Sequence, residues 1–364
     1  MSDTLDREAF EALRTRTAFS LDGGVCLKIS GPDAFDLLDE ALPSSLFLKD
    51  AELRQSLFLR QDGTPFADVL VARSDEEYLL WIDGPSLENS RAHLDRAGRE
   101  GLDVEIQDLR LTHGVLSLHG PYAWELLAHL YGEDLAALPY LRLFELCGGW
   151  CLRAGRTGEF GYHLLLPHAD IEAAKARLQQ DGDIFGLREV GPRELEQAAL
   201  ENWFYSPTRY GLAQETLTSM GTLTPLELQL QWRVRSSKRF LGSEAVAARR
   251  AEGARFRLTA FVGPDAQGQA STPGVGSPVE LDGQTIGRIF SAGRSPLFDR
   301  AFGAALLALP HAFPDQSITA QGVRLRTVAP PVIRNQSLYT SPSRHSWLRQ
   351  ELPTFPAWLA LGER

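Results

Sequence analysis

Cysteine and histidine, the side chains that most often bind metals or act as nucleophiles, show no catalytic spacing in this chain. Cys147 and Cys151 are separated by three residues, which does not suit the common zinc knuckles, and two buried thiols are the simpler interpretation. The eight histidines are scattered, and no two of them stand four residues apart. Signatures of nucleotide-binding loops, zinc proteases and serine hydrolases are absent. We therefore predict no metal centre.

Two polar patterns remain. The run RAGRTGEFGYHLLLP, which starts at Arg153, surrounds Thr157 and Glu159 with three glycines. Taken alone, it predicts a hairpin in which the glycines adopt positive φ angles. In the alternating run YLLWID, Trp81 and Asp83 are two residues apart, so they share one face of a predicted strand. Neither pattern alone identifies a function.

Composition excludes several classes of partner. The net charge of −10 argues against nucleic acid, because contacts to phosphates need clustered lysine and arginine, and the longest basic cluster is Arg249-Arg250. No apolar run approaches the ~18 residues that span a bilayer, and the N-terminal residues lack the apolar region of a signal peptide. Three cysteines in 364 residues fit a reducing compartment. We expect a cytoplasmic protein without nucleic-acid or membrane partners.

Strand-rich segments backed by helices recur along the first two thirds of the chain. Hydrophobic periodicity predicts helices over 6–14, 87–97 and 123–130, and a strand hairpin around a turn at 61–64. From about Arg255, frequent glycine and proline with short alternating runs predict a small β-barrel or sandwich. The pattern therefore favours an α+β protein with a separate β domain.

We divide the chain into four parts on this basis. The predicted parts are an α+β subdomain at 1–110, a second α+β subdomain at 111–254, a C-terminal β-barrel at 255–334 and a tail at 335–364. The tail holds Trp347, Phe355 and Trp358 between prolines, and we expect it to pack on the body of the protein.

A series of short motifs along the chain carries a family resemblance. In order, these are SGPDAFDLL from Ser30, DGTPFADVLV from Asp62, LSLHGPYAWELL from Leu116, GPRELEQAALE from Gly191, RYG from Arg209, TLTPLELQLQW from Thr222, KRFLGSEAV from Lys238, IGRIFSAGRSPLF from Ile286 and APPVI from Ala329. Together they resemble the T-protein family of the glycine cleavage system, the folate-dependent aminomethyltransferases and their relatives. The resemblance runs from about residue 20 to residue 334.

This resemblance implies a fold, a cofactor and a class of partner. Family members form a disc of two α+β halves around a folate channel, closed by a C-terminal β-barrel. The implied cofactor is tetrahydrofolate, or its 5-methyl or 5,10-methylene form. The implied partner is a small-molecule donor or acceptor of one carbon, and a homodimer is possible.

The resemblance assigns the central roles to two carboxylates. Asp68, in PFADVLV, matches the family's catalytic acidic residue beside the one-carbon unit of the folate. A partly buried carboxyl group is suited to exchanging a proton with a nearby amine. Glu201 matches the glutamate that reads the pterin, because a carboxylate can accept two parallel N–H bonds. From the residues alone, Asp68 is an exposed acid near a turn and Glu201 a solvated helix charge. The resemblance predicts that both face one cavity.

Further positions inherit binding roles from the resemblance. Arg239, or its neighbour Lys238, matches a basic position that faces the carboxylate tail of folate; an ordinary surface charge is the alternative. Tyr210 occupies the family's aromatic position before a glycine, or serves only in packing. Trp81 and Asp83 fall on a face that lines the channel, where an aromatic wall and a polar group suit a pterin.

The chain also departs from the family pattern. Glycine-cleavage members carry two consecutive acids where this chain has Ala67 and Asp68, asparagine at the position of Asp83, and a second glutamate at the position of His163. Together with Glu159, His163 is a predicted cofactor contact in the glycine-rich run. We therefore expect a preserved pterin site, an altered acceptor side, and a divergent relative rather than the glycine-cleavage enzyme itself.

Two functions stay open at this stage. The first is a tetrahydrofolate-dependent one-carbon transferase that acts on a small amine, methoxyl or methylated substrate. The second is a non-catalytic folate-binding protein of the iron–sulfur assembly or tRNA-modification type, whose family motif is KGCYxGQE. The corresponding residues here, RYGLAQE from Arg209, lack the cysteine, and Asp68 is retained. Both features favour the enzyme.

Overall fold

The computed structural model describes residues 5–21, 23–264, 271–297 and 300–349. The first element is helix α1 (Arg7–Thr15), whose buried face includes Phe10 and Leu13. The Asp6 carboxylate caps this helix by accepting hydrogen bonds from two backbone N–H groups of the first turn, at 2.9 and 3.1 Å. A short strand, β1 (Ala18–Ser20), follows.

A five-stranded antiparallel sheet with two helices packed on one face forms the first subdomain. Its elements are β2 (Val25–Ser30), α2 (Ala34–Ala41), β3 (Leu53–Leu59), β4 (Pro65–Ser74), β5 (Glu77–Asp83), α3 (Leu87–Ala97) and β6 (Glu105–Asp108). The strand order is β3-β4-β5-β2-β6. Between β3 and β4, the Asp62 carboxylate accepts from the Thr64 N–H at 3.0 Å, and Gly63 supplies a φ of 81° that other residues avoid. The predicted hairpin is confirmed.

The second subdomain is a six-stranded sheet that includes β1. Its other elements are β7 (His113–His119), α4 (Ala123–Tyr131), β8 (Leu143–Leu146), β9 (Gly149–Arg153), β10 (Gly161–Pro167), α5 (His168–Asp181) and β11 (Arg188–Glu189). Strand β1 pairs with β7 in the antiparallel sense and with β11 in the parallel sense. The start of the chain is therefore built into the second sheet, while the exact domain limits stay a prediction.

Helices connect this sheet to a closed six-stranded β-barrel. The elements are α6 (Pro192–Glu201), α7 (Pro207–Thr216), α8 (Ser243–Glu252), β12 (Phe256–Val262), β13 (Pro278–Leu281), β14 (Gln284–Arg294), β15 (Ala301–Ala308), β16 (Ser317–Ala320) and β17 (Val323–Val328). The barrel order is β12-β15-β14-β13-β16-β17, with β17 pairing back to β12. The predicted α+β architecture with a C-terminal barrel is confirmed.

Only part of the predicted tail belongs to the described residues. Trp347 is partly buried against the core of the second subdomain, and its indole N–H donates to the carbonyl of Ile184 at 2.8 Å. Phe355 and Trp358 lie outside the described residues.

The two sheets pack on each other through a shared apolar core that includes Leu70 of β4, Leu79 of β5 and Leu165 of β10. Alternate residues of a strand share a face, so Asp68 and His163 are on the same faces as these leucines, one step further along their strands. The sheet faces through which the two subdomains pack are therefore apolar in the middle and polar at one end. This is where the candidate site lies.

Candidate functional site between the two subdomains

A cavity that is open to solvent lies between the two sheets. We call it the central cavity. Its lining residues are Ser20, Gly23, Gly24, Gln55, Asp68, Leu70, Trp81, Asp83, Ser117, His119, Gly155, Arg156, His163, Leu195 and Phe204. Both subdomains and helix α6 contribute to it, so the cavity exists only in the assembled fold.

Two carboxylates stand directly opposite each other in the wall of this cavity. Asp68 of β4 and Asp83 of β5 are cross-strand partners in the antiparallel ladder. Like charges at such positions repel, so this arrangement needs counter-charges. Arg233 Nη1 donates to Asp68 Oδ1, and Arg156 Nη1 donates to Asp83 Oδ2. The first sheet thus presents two acidic groups, each compensated by an arginine from elsewhere in the chain.

The arginine beside Asp83 is part of a longer ionic chain. Arg156 Nη1 lies 3.3 Å from Glu196 Oε1, and the other oxygen of Glu196 lies 3.1 Å from Arg209 Nη1. Arg209 Nη2 donates to the carbonyl of Phe204 at 2.6 Å. Burial lowers the pKa of Arg209 to about 10, so its guanidinium stays charged at neutral pH. This chain fixes Phe204, a wall residue of the cavity, relative to Asp83.

Both sheets also contribute neutral hydrogen-bonding rings to the lining: Trp81 comes from β5 of the first sheet, and His119 and His163 come from the second sheet. Trp81 and His163 lie with their ring centroids 4.4 Å apart, tilted by 32°. Ser117 Oγ is 2.8 Å from His163 Nδ1, and Ser20 Oγ is 3.2 Å from His119 Nε2. Burial lowers the pKa of His119 to about 3 and that of His163 to about 4, so both imidazoles are neutral at physiological pH. The Nδ1 atom of His119 is buried without a partner among the described residues.

Buried His119 should make stability depend on pH. The pKa of His119 is about 3 in the folded protein and 6.5 for an ordinary histidine. Between these pH values only the unfolded chain binds the proton, so the free energy of unfolding falls as the pH falls. We expect His119→Asn to remove this contribution and to flatten the decline between about pH 6.5 and 4.5, by up to about 1.4 kcal/mol per pH unit at the lower end. Urea unfolding measures the slope, with the exposed His168→Asn as control. Equal slopes for wild type and His119→Asn would contradict the expectation.

Glu201 and Glu159 belong to a buried network and do not line the central cavity. Glu201 Oε2 accepts from Arg14 Nη2 at 2.8 Å, and its Oε1 accepts from Gln197 at 3.2 Å. Glu159 accepts from the N–H and the hydroxyl of Ser337 at 2.8 and 2.7 Å, and it lies 3.6 Å from Arg14. Burial raises the pKa of both carboxyl groups, which Arg14 opposes. The expectation that Glu201 shares the cavity with the catalytic acid is therefore corrected, because its oxygens are used inside the protein.

Three other predicted positions also lie away from the cavity. Tyr210 is buried in a core, and its hydroxyl donates to the carbonyl of Leu223 at 3.0 Å, so the packing alternative describes it. Arg239 is exposed on a separate surface groove. Lys238 Nζ pairs with Asp39 at 2.7 Å and binds two backbone carbonyls. The cavity brings together Asp68, Trp81, Asp83 and His163 from the predicted set.

Three residues that shape the cavity were not recognised from the sequence: Arg156, Arg233 and His119. Arg156 stands inside the glycine-rich run, and His119 inside LSLHGPYAWELL. Arg233 follows TLTPLELQLQW by one residue. Their positions within or beside the motifs were the only signal in the sequence that these residues belong to the site. The residues that they contact lie on elements far away in the sequence, so the contacts themselves could not be predicted.

Two absences concern only the part of the chain that the structure describes. Within it, no group of three histidine, cysteine, aspartate or glutamate side chains is placed to hold a metal ion. No helix in the same residues is long and apolar enough to cross a membrane.

The fold is that of an α+β protein with a cavity between two subdomains and a C-terminal barrel. The family model described as the GCVT N-terminal domain matches residues 4–238. The chain belongs to this family, and the resemblance to the glycine cleavage T-protein family is confirmed.

Individual relatives agree with this assignment. The aminomethyltransferase of Streptomyces avermitilis is 29% identical over 348 residues, covering 91% of this chain and 90% of its own. The aminomethyltransferase of Exiguobacterium sibiricum is 28% identical over 315 residues, with 84% and 82% covered. The crystal structure of glycine cleavage system aminomethyltransferase T from Bartonella henselae superimposes with a TM-score of 0.74 at 20% identity, over 89% of this chain and 88% of that one. The last match shows a shared fold.

Proposed function

We propose that the protein is a tetrahydrofolate-dependent one-carbon transferase that acts on a small amine, methoxyl or methylated substrate. One observation carries the proposal: Asp68 and Asp83 are neighbours on one sheet face of the cavity, and beside them Trp81 of the same face packs against His163 of the other sheet. The names of the relatives support transfer of an aminomethyl group by members of this family. The ligand is tetrahydrofolate, or its 5-methyl or 5,10-methylene form.

The cavity fits the pterin of a reduced folate. A pterin is flat, and one edge is rich in N–H donors; the rings of Trp81 and His163 offer an aromatic wall, and carboxylates are strong acceptors for such donors. The unpartnered Nδ1 atom of His119 adds a hydrogen-bonding position in the same lining. In this proposal Trp81 packs on the ring, while Asp83 and His163 orient it.

In this proposal Asp68 moves the proton. Tetrahydrofolate supplies the carrier for the carbon unit. Arg233 occupies Oδ1 of Asp68, which leaves Oδ2 to exchange a proton with a nitrogen or oxygen of the reactants. The arginine also fixes the rotamer of Asp68, which favours a constant geometry for that exchange. The side chain of Asp68 is 14% exposed, so bulk water has little access to the proton.

One observation favours a second candidate, a folate-binding protein without catalysis. Arg233, itself almost completely buried, already pairs with Asp68 and holds a counter-charge against it. A carboxylate held in this way can serve structure instead of proton transfer. The two candidates differ in whether loss of the Asp68 charge changes a turnover.

Mass spectrometry of the folates that co-purify with the protein tests the proposal. We expect a stoichiometric reduced folate, in its methyl or methylene form, that loses its one-carbon unit when an extract supplies acceptors. Protein that carries no folate and does not bind added tetrahydrofolate would contradict the proposal. A bound folate whose one-carbon unit never changes would favour the second candidate.

Trp81→Leu should weaken the binding of tetrahydrofolate about tenfold, because an aromatic wall contributes about 1–3 kcal/mol to a stacked ring. The matched control is Trp150→Leu, since Trp150 is partly buried but does not line the central cavity. Titration calorimetry on both variants measures the effect. Equal affinities in the two variants would remove Trp81 from the ligand contacts.

A further inference from the structure

A second cavity adjoins the central cavity, and Phe204 lines both. The second cavity lies between the segment around α7, the 228–233 loop and barrel strands β12, β14 and β15. Its lining residues are Leu200, Trp203, Phe204, Tyr205, Ser206, Arg209, Leu228, Gln229, Leu230, Trp232, Arg233, Leu258, Phe290, Ser291 and Ala304. None of the contacts proposed above for folate lies in this set.

The two cavities have opposite character. Asp68 and Asp83 line the central cavity, where Arg156 is the basic lining residue. In the second cavity the charged lining residues are Arg209 and Arg233, whose acidic partners Glu196 and Asp68 are not part of the lining. The remaining lining of the second cavity is dominated by aromatic and aliphatic side chains. Such a lining suits a flat, mostly apolar molecule with an anionic end, and it disfavours a cation.

Two buried polar atoms among the lining residues have no partner within the described part of the chain. They are Nε of Arg233, a residue only 2% exposed, and the hydroxyl of Tyr205. The guanidinium of Arg233 lies over the rings of Phe204 and Trp232, at 5.1 and 4.8 Å. Buried donors are normally satisfied, and two unsatisfied donors on residues that line one cavity leave hydrogen bonds that a bound acceptor can complete.

We propose that the second cavity is a binding site for an aromatic carboxylate. The ring packs among Trp203, Phe204 and Phe290, and the carboxylate accepts hydrogen bonds from Arg233 and Tyr205. The inference goes beyond the proposed function and concerns binding alone. It does not require that the central cavity hold a folate.

Fluorine NMR of the full-length protein with 4-fluorobenzoate tests this inference. We expect 4-fluorobenzoate to bind at least about tenfold more tightly than the cation 4-fluorobenzylamine, because only arginines charge this lining. Ser291→Leu, which fills the second cavity, should abolish the binding. Tyr205→Phe removes a single hydroxyl and should weaken it several-fold, which keeps the test valid if Ser291→Leu does not fold. Ser117→Leu, in the central cavity, is the matched control and should leave it unchanged.

Tetrahydrofolate binding is measured on the same variants to separate the two proposals. A second site is supported if Ser291→Leu no longer binds 4-fluorobenzoate but binds tetrahydrofolate with unchanged affinity. Three results overturn it. The first is that 4-fluorobenzoate does not bind to the wild type, and the second is that 4-fluorobenzylamine binds equally well. The third is that tetrahydrofolate displaces 4-fluorobenzoate and that Ser291→Leu loses the binding of both ligands. The last would make the cavity part of the folate site. If 4-fluorobenzoate binds as expected but tetrahydrofolate does not, the inference stands and the proposed function fails.

Discussion

Replacing Asp68 with asparagine is expected to lower turnover by a factor of about 10²–10⁴, which is the usual contribution of a positioned acid or base. The affinity for folate should stay within a few-fold of wild type. Asparagine keeps the volume of the side chain and can still accept the hydrogen bond of Arg233, but it cannot exchange a proton. The loss should therefore fall on the chemical step. Single-turnover loss of a labelled one-carbon unit from bound folate, in an extract with candidate acceptors, measures it.

The control is the carboxylate directly opposite. Asp83→Asn removes the same charge from the same cavity at the paired position of the ladder. We expect it to weaken folate binding and to leave the rate of the bound complex within a few-fold of wild type. Equal rates for wild type and Asp68→Asn, at matched folate occupancy, would rule out catalysis through Asp68 and leave the binding-protein candidate.

Arg14→Met should be the most destabilising of the changes considered, by about 3–5 kcal/mol at neutral pH. Arg14 is completely buried between Glu159 and Glu201, both also completely buried. Removing it leaves two carboxylates without a counter-charge, and methionine supplies none of the hydrogen bonds that Arg14 donates to the carbonyls of Thr157 and Ala198. Urea unfolding at neutral pH measures the loss.

The loss in this variant should shrink in acid. Burial already raises the pKa of Glu159 and Glu201 above the ordinary 4.5 in the folded protein, and removal of Arg14 raises both further. A carboxyl group whose pKa is higher in the folded than in the unfolded protein stabilises the fold at pH values below the unfolded pKa. This stabilisation is lost as the pH rises through the folded pKa. The deficit should therefore be largest at neutral pH. Arg7→Met, on an exposed position of the same helix, is the control. A deficit that is constant with pH would contradict this explanation.

The elements of the fold were largely predictable from hydrophobic periodicity. Helix α3 spans the predicted 87–97, and helix α4 (Ala123–Tyr131) covers the predicted 123–130. Alternation also placed Trp81 and Asp83 correctly on one face. The place of β1 was not predictable in this way, because its three residues pair with strands about 100 and 170 residues further on. Local pattern does not encode such pairing.

From the residues alone, the site was predictable only where a strand face decides it, as for Trp81 and Asp83 on β5. Asp68 was assigned only through the family resemblance, and Glu201 ends a helix, where a carboxylate is equally suited to a ligand and to an internal partner. The partner it takes is Arg14, 187 residues away in the chain. Arg233 and Arg156 likewise meet their aspartates 165 and 73 residues away. Such pairs depend on how whole subdomains pack, and short motifs carry no signal for them.

A crystal structure of the protein with bound 5-methyltetrahydrofolate tests the central claim most directly. We expect the pterin in the central cavity, with its ring against Trp81 and its N–H groups within hydrogen-bonding distance of Asp83, and its methyl-bearing nitrogen beside Asp68. A pterin bound in the second cavity or on the outer surface, or one that contacts Glu201 after displacing Arg14, would contradict the assignment of the central cavity as the folate site.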